Sequence, residues 1–171
     1  MVIMPKITII GGLQASGKTT LMRMIRKNLG EPIINKLGTL HYEEYDNHIV
    51  YGIYNGDTFD GTDKLSMAVM NDALNHLKHN NKDILIEGDR LFNLKFLDSA
   101  KVLGYDIKII ICIVSDNLVL INRFKKRGQM QKESFIKGRM TKINNVTAKY
   151  GSTIIDTKSG IDKKIICSFV R

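Results

Sequence analysis

Gly12, Gly17, Lys18 and Thr19 stand in the spacing G-x-x-x-x-G-K-[ST], and each residue type has a chemical reason to be there. Glycines at 12 and 17 let the backbone wrap a ligand with successive N–H groups pointing inward, because no Cβ obstructs the turn. The helix that opens near Lys18 adds free N–H groups and the positive end of its dipole. A triphosphate suits such a cradle: Lys18 reaches its β- and γ-phosphates, and the Thr19 hydroxyl sits on Mg²⁺. Gly12, Ala15, Ser16, Gly17, Lys18, Thr19 and Thr20 are the candidate nucleotide contacts.

Three further stretches carry chemistry. Glu87-Gly88-Asp89-Arg90 follows an apolar run, where a carboxylate can orient Mg²⁺ directly or through water. Glu87 continues the strand as the candidate metal partner, Asp89 lies further into the crevice as a candidate catalytic carboxylate, and Arg90 could bind a substrate phosphate. The loop 55–63 offers Asp57, Asp60 and Asp63 as candidates for substrate contact or for the base that accepts a hydroxyl proton. Asp63 equally fits the N-cap of the helix that follows, and the sequence does not rank the three. Arg123, Lys126 and Arg127 gather around one helical turn and Arg139 returns from the next helix. A lid over 123–142, bracketed by Gly128 and Gly138, could bring those guanidinium groups onto a transferring phosphate and exclude water. The four histidines show no metal-ligand spacing.

The elements that must position these residues alternate along the chain. Lys6–Ile10 reads as a strand buried on both faces, and Leu21, Ile25 and Leu29 give the helix after it an apolar stripe. That helix ends near Gly30 and Pro32. Residues 33–54 read as strand material with a hairpin around Glu43–Asn47. A helix is predicted over 64–79, a strand over 83–87, and a helix over 93–103 capped by Asn93 and ended by Gly104. A strand from Ile107 to Val114 follows, then a helix capped by Ser115 with Leu118, Ile121 and Phe124 inward. Further elements are a helix over 132–149, a strand at Ser152–Asp156, and an apolar tail to Val170. Alternating strands and helices indicate an α/β fold, a parallel sheet of about five strands with helices on both faces. Ligands of such sheets sit outside the carboxyl ends of the strands, and the loops after Ile10, Tyr54, Ile86 and Val114 share that edge.

The 171 residues suit one domain with a proper core, and the composition, 43% apolar and 25% charged, is globular. There is no signal-peptide pattern and no apolar run long enough to span a membrane. Cys112 and Cys167 lie in apolar runs without C-x-x-C spacing and are expected to be buried, reduced thiols with no disulfide partner, in a cytoplasmic protein. The net charge of +9 is uneven: residues 120–149 carry nine Lys and Arg against Glu133 alone, whereas residues 43–63 carry six acids and no Lys or Arg. The basic segment suits phosphates, or is a solvated helical face; the acidic one suits a metal or hydroxyl groups.

In its order of parts the chain resembles small P-loop kinases of the nucleoside-monophosphate-kinase type over nearly its full length. Three stretches, residues 56–67, Glu87-Gly88-Asp89-Arg90-Leu91 and residues 135–144, are similar to phage-encoded kinases that phosphorylate 5-hydroxymethyluracil already incorporated in DNA. The resemblance implies a three-layer P-loop kinase fold with a small helical lid, ATP and Mg²⁺, modified DNA as substrate, and the cytoplasm of an infected bacterium. One departure stands out. The nucleotide kinases usually show Asp-Gly-x-Pro-Arg at the third strand, and the run here is one residue shorter, which bears against binding a free nucleotide's phosphate. Lys and Arg on one surface would hold a DNA backbone, and the base would have to leave the stack; Tyr54, Phe59 and Phe92 are the crevice aromatics that could receive it. A kinase for a free nucleotide or small metabolite, and a nucleotide-dependent switch or binding module, are the alternative readings.

Overall fold

β1 (Lys6–Gly12) is the centre of the structure, and its residues after Lys6 are all buried. A strand apolar on both faces needs a neighbour on each edge and a layer on each side. β5 (Asp83–Glu87) and β6 (Asp106–Ile113) supply the edges, both parallel to β1, with Ile9 opposite Ile86 and Ile109. A computed structural model describes residues 3–57, 59–128 and 131–170. Thr58 of the acidic loop and Gln129 and Met130 of the expected lid lie outside the described residues.

The sheet has seven strands in the order β2-β3-β4-β5-β1-β6-β7. β4 (His48–Tyr51) and β7 (Thr153–Asp156) extend the parallel part to five. The two strands beyond the expected five are β2 (Ile33–Leu37) and β3 (Leu40–Glu44), which add antiparallel to β4. Two hairpins therefore occupy residues 33–51: the expected one between β3 and β4, and another whose turn is Gly38 and Thr39. On one side of the sheet α2 (Val69–Lys78), α3 (Leu94–Val102) and α5 (Glu133–Tyr150) pack with Val69, Ala73, Leu77, Phe96, Leu97 and Val146 inward. On the other, α1 (Lys18–Lys27) and α6 (Lys163–Val170) bury Leu21, Met22, Ile25, Ile166 and Phe169. The result is an α/β fold of three layers. No helix among the described residues is long and apolar enough to cross a membrane.

Several local expectations change. The helix expected over 64–79 begins only at Val69, because residues 62–64 form a separate 3-10 turn. Asp116, not Ser115, caps α4 (Asn117–Arg127): its carboxylate accepts from the N–H groups of Leu118 and Val119 at 2.9 and 3.3 Å, and a carboxylate there also meets the positive helix end. α4 buries none of its residues, and Leu118 is 73% exposed. Cys112 is buried in the sheet, but Cys167 is exposed, since α6 turns its neighbours Ile166 and Phe169 to the core. The tail is thus an amphipathic helix with Cys167 on its outer face.

Candidate active site

The loop between β1 and α1 has the shape its glycines dictate. Gly12 sits at φ 141° and Gly17 at φ 95°, where a side chain is strained. A Cβ on Gly12 would meet the Cys112 carbonyl oxygen at 2.4 Å, and one on Gly17 would meet Thr157 at 3.0 Å. Ala15 also takes a left-handed φ of 61°. Lys18 is folded back, its Nζ donating to the carbonyls of Gly12 and Leu13 at 3.0 and 2.8 Å. Burial lowers its pKa, and the carboxylates of Asp89 and Glu87 oppose that shift.

Thr19 and Glu87 meet at the strand ends. The Thr19 hydroxyl donates to Glu87 Oε1 at 3.2 Å, because β5 lies beside β1 with Glu87 opposite Ile10. Glu87 is 1% exposed; burial pushes its pKa up to about 8, with Asp63 and Asp60 adding to the rise and Lys18 and Thr19 opposing it. Two hard oxygen donors beside a phosphate loop fit Mg²⁺, which takes one or two protein oxygens and completes its octahedron with water and phosphate oxygens. The described residues hold no cluster of three or more His, Cys, Asp or Glu suited to a metal, so a site completed by substrate is the kind they allow.

The acidic loop is a built object. Ile53 and Gly61 close it through paired backbone hydrogen bonds. Asp60, 2% exposed, holds its interior: the carboxylate accepts from the N–H groups of Asn55, Gly56 and Asp57 and pairs with Arg23 and Lys64 at 2.8 and 2.9 Å. Burial alone would raise its pKa, but the hydrogen bonds from Arg23 and Lys64 prevail and bring it down to about 2. Asp57 pairs with Lys64 on the exposed side of the loop. Asp63 sits in the 3-10 turn and does not cap α2; its Oδ1 accepts from the Asp89 N–H at 2.7 Å. Of the other acids counted in this region, Glu43 and Glu44 are tied to Arg26 and Lys82, and Asp46 lies in the exposed turn between β3 and β4.

Asp89 spends its carboxylate on Arg139, which also stacks over Phe135 at 4.7 Å from the ring centre. Arg90 Nε donates to the Leu65 carbonyl at 3.2 Å. Arg123 buckles the far end of the phosphate loop to the strand edge, donating to Ala15 O at 3.2 Å and to Thr157 Oγ1 and O at 2.9 and 2.6 Å. It is held there and does not point at the junction where a phosphoryl group would move. Arg127 differs: burial and the nearby Arg123 and Arg23 lower its pKa, and it lines the cavities on both sides of the loop.

Three spaces lie around the loop. A cavity of about 490 Å³ lies behind the loop between Gly17, Thr20, Arg123, Lys126, Thr157 and Ile161. A small one of about 40 Å³ lies in front, among Gln14, Lys18, Thr19, Asp63, Glu87 and Arg139. A third, of about 620 Å³, opens beyond it between Phe59, Met67, Asp89, Arg90, Phe135 and Lys142, and shares Phe59, Asp63 and Arg139 with the small one. Of the aromatics expected in the crevice, Phe59 lines it, whereas Phe92 is buried and Tyr54 is half-buried with the Arg26 guanidinium over its ring. Phe135 takes the opposite wall. Thr157 was not a sequence candidate, yet its hydroxyl donates to Ser16 O at 2.7 Å and props the loop; the readable signal was its place directly after a strand on the ligand edge. Arg23, which anchors Asp60, and Gln14, inside the unspecified positions of the motif, were missed too.

No curated protein matches the sequence. Among solved structures, the YorR protein of Bacillus subtilis, in complex with phosphorylated GDP, is similar at 13% identity, over 96% of this chain and 94% of that one, with a TM-score of 0.52. A gluconokinase from Sinorhizobium meliloti is similar at 11% identity over 99% and 90%, TM-score 0.49, and a sugar kinase from Janibacter at 13% over 97% and 92%, TM-score 0.48. At 13% identity the likeness to the YorR protein is one of fold. The family model described as P-loop Nucleotide Kinase3 matches residues 6–163, which include the phosphate loop, the Glu87 strand end and the arginine-bearing helices, and the chain accordingly belongs to the P-loop nucleotide kinases, a family of phosphotransferases.

Proposed function

We propose that the protein is an ATP-dependent kinase that phosphorylates the hydroxymethyl group of 5-hydroxymethyluracil in DNA, acting in the cytoplasm of a phage-infected bacterium. The observation that carries this reading is the open cavity of about 620 Å³ joined to the phosphate-loop side through Asp63 and Arg139. Its walls are half-exposed aromatics, Phe59 at 46% and Phe135 at 50%, which a base swung out of the stack could lie against. Lys125, Lys126, Lys132 and Lys137 are exposed on α4 and around the start of α5, a surface suited to a polymer's phosphates.

Each residue then has a task. Lys18 exchanges the Gly12 and Leu13 carbonyls for phosphate oxygens, and the loop amides hold the rest of the chain of phosphates. Thr19 and Glu87 would hold Mg²⁺, which when bound supplies positive charge against the phosphates. Asp63 is the base: Asp60 is consumed by Arg23 and Lys64 and Asp89 by Arg139, whereas Asp63 is fixed through Oδ1 and keeps Oδ2 for the acceptor's proton. Arg127 supplies positive charge at the junction. Arg123 positions the loop. Arg90, Arg139 and Lys142 ring the acceptor cavity.

A second reading, a kinase for a free nucleotide, draws on the family itself and on the same cavity. Labelled ATP offered to hydroxymethyluracil DNA, plain DNA and a panel of free nucleotides separates the two. Label on the modified DNA alone is expected; label confined to free nucleotides refutes the first reading and supports the second. Transfer to none of them leaves a nucleotide-dependent switch.

A further inference from the structure

The small cavity in front of the loop contains an account that does not close. Several of its lining groups have internal partners: Lys18 on two carbonyls, Thr19 on Glu87, Asp63 on the Asp89 N–H, Asp60 on Arg23 and Lys64. Two buried polar atoms of residues lining it have no partner among the described residues, the amide oxygen of Gln14 and Nε of Arg139. Gln14 is 6% exposed, and a buried amide without a partner is costly enough to be rare unless something else completes it. The space of about 40 Å³ admits about one or two water-sized groups.

We infer that Gln14 contacts the transferred phosphoryl group, with Arg139 Nε as its companion donor. Rotation about the last side-chain torsion exchanges the amide oxygen and the –NH₂ group at one spot, so an anionic oxygen entering the cavity finds a neutral donor. The transferred group is planar in its transition state, with charge on three equatorial oxygens. Lys18 approaches from the start of α1, Arg127 from α4 and Arg139 from α5. Gln14 adds a donor from the loop itself without adding a fourth positive charge. The inference rests on the phosphotransferase reading and not on which hydroxyl receives the group.

The test uses no acceptor, so it is independent of the DNA reading. Wild-type protein, Gln14→Met and Gln14→Glu are compared for ADP affinity by calorimetry, and for the extra affinity gained when aluminium fluoride and magnesium supply a planar stand-in for the moving group. Gln14→Met keeps length and burial; it should bind ADP as wild type does and lose about 10- to 100-fold of the fluoride-dependent gain, the worth of a hydrogen bond to a charged group. Gln14→Glu should lose more, through repulsion. Trapping by Gln14→Met equal to wild type overturns the inference, as does a wild-type protein that binds ADP and gains nothing from the fluoride. If Gln14→Met melts early, Gln14→Asn, which keeps the amide but draws it back from the cavity, should show the same selective loss.

Discussion

Replacing Glu87 by Gln separates what this residue costs the fold from what it does for the site. Glu87 is 1% exposed and accepts from Thr19 at 3.2 Å. Burial lifts its pKa from 4.5 to about 8, so near pH 7 the folded metal-free protein keeps a proton that the unfolded chain has lost. A carboxyl whose folded pKa is raised contributes stability that is fully present below the unfolded value and is lost as pH rises through the folded one. Each pH unit in that window is worth about 1.4 kcal/mol at most, which comes to roughly 3 kcal/mol near pH 7 and on the order of 5 kcal/mol above pH 8. Gln has the shape of the protonated acid and titrates nowhere. Urea denaturation in EDTA should therefore show the two proteins equal near pH 4.5 and Glu87→Gln progressively more stable to about pH 8. The same variant should lose about 100-fold or more in turnover, since a neutral amide binds Mg²⁺ poorly, and Mg²⁺ with nucleotide should stabilise wild type more than the variant. Parallel stability curves across the pH range would refute the burial argument, and undiminished turnover would refute the metal role.

Other perturbations test the remaining parts. Lys18→Ala should lower phosphoryl transfer by about a thousand-fold or more while the protein still unfolds cooperatively, checked by turnover and a melting curve. Arg127→Ala should lower kcat by about 100-fold with ATP affinity nearly kept; a loss confined to affinity would make it an anchor for the nucleotide. Gly12→Ala should abolish nucleotide binding in calorimetry, because its Cβ would lie 2.4 Å from the Cys112 backbone oxygen and the loop must shift to admit it.

What the sequence made legible is what is local in the chain. The strand, loop and helix around Gly12–Thr20 are specified by neighbours within a few residues, as is the Asn93 cap, whose side chain accepts from Phe96 N–H at 2.9 Å. The first hairpin was illegible because its turn, Gly38-Thr39, is steadied from outside: both the Thr39 N–H and its hydroxyl donate to Asp72 on α2. Thr157 and Ser16, joined by one hydrogen bond, are separated by 141 positions. Periodicity also misleads where an apolar stripe has nothing to cover it: Leu118 and Ile121 repeat at helical spacing yet remain exposed, at 73% and 47%.

The aspartates of the acidic loop show why residue type and spacing stop short of a role. All three were equivalent as letters. The sheet order gives them different surroundings, since β4 and β5 run side by side and bring the loop after one strand against the turn after the other. That contact gives Asp63 the Asp89 N–H as a partner, while α1, next in the layer above, reaches across with Arg23 and takes Asp60. A carboxylate with two cationic partners and three backbone donors, its pKa brought down to about 2, is a poor acceptor for a hydroxyl proton, because its affinity for protons is already spent. Among the described residues the Asp63 carboxylate has one partner, the Asp89 N–H, and it borders both the phosphate-side and the acceptor-side cavity. The proposed role of Asp63 thus rests on what its neighbours hold, and that is a property of the packed strands.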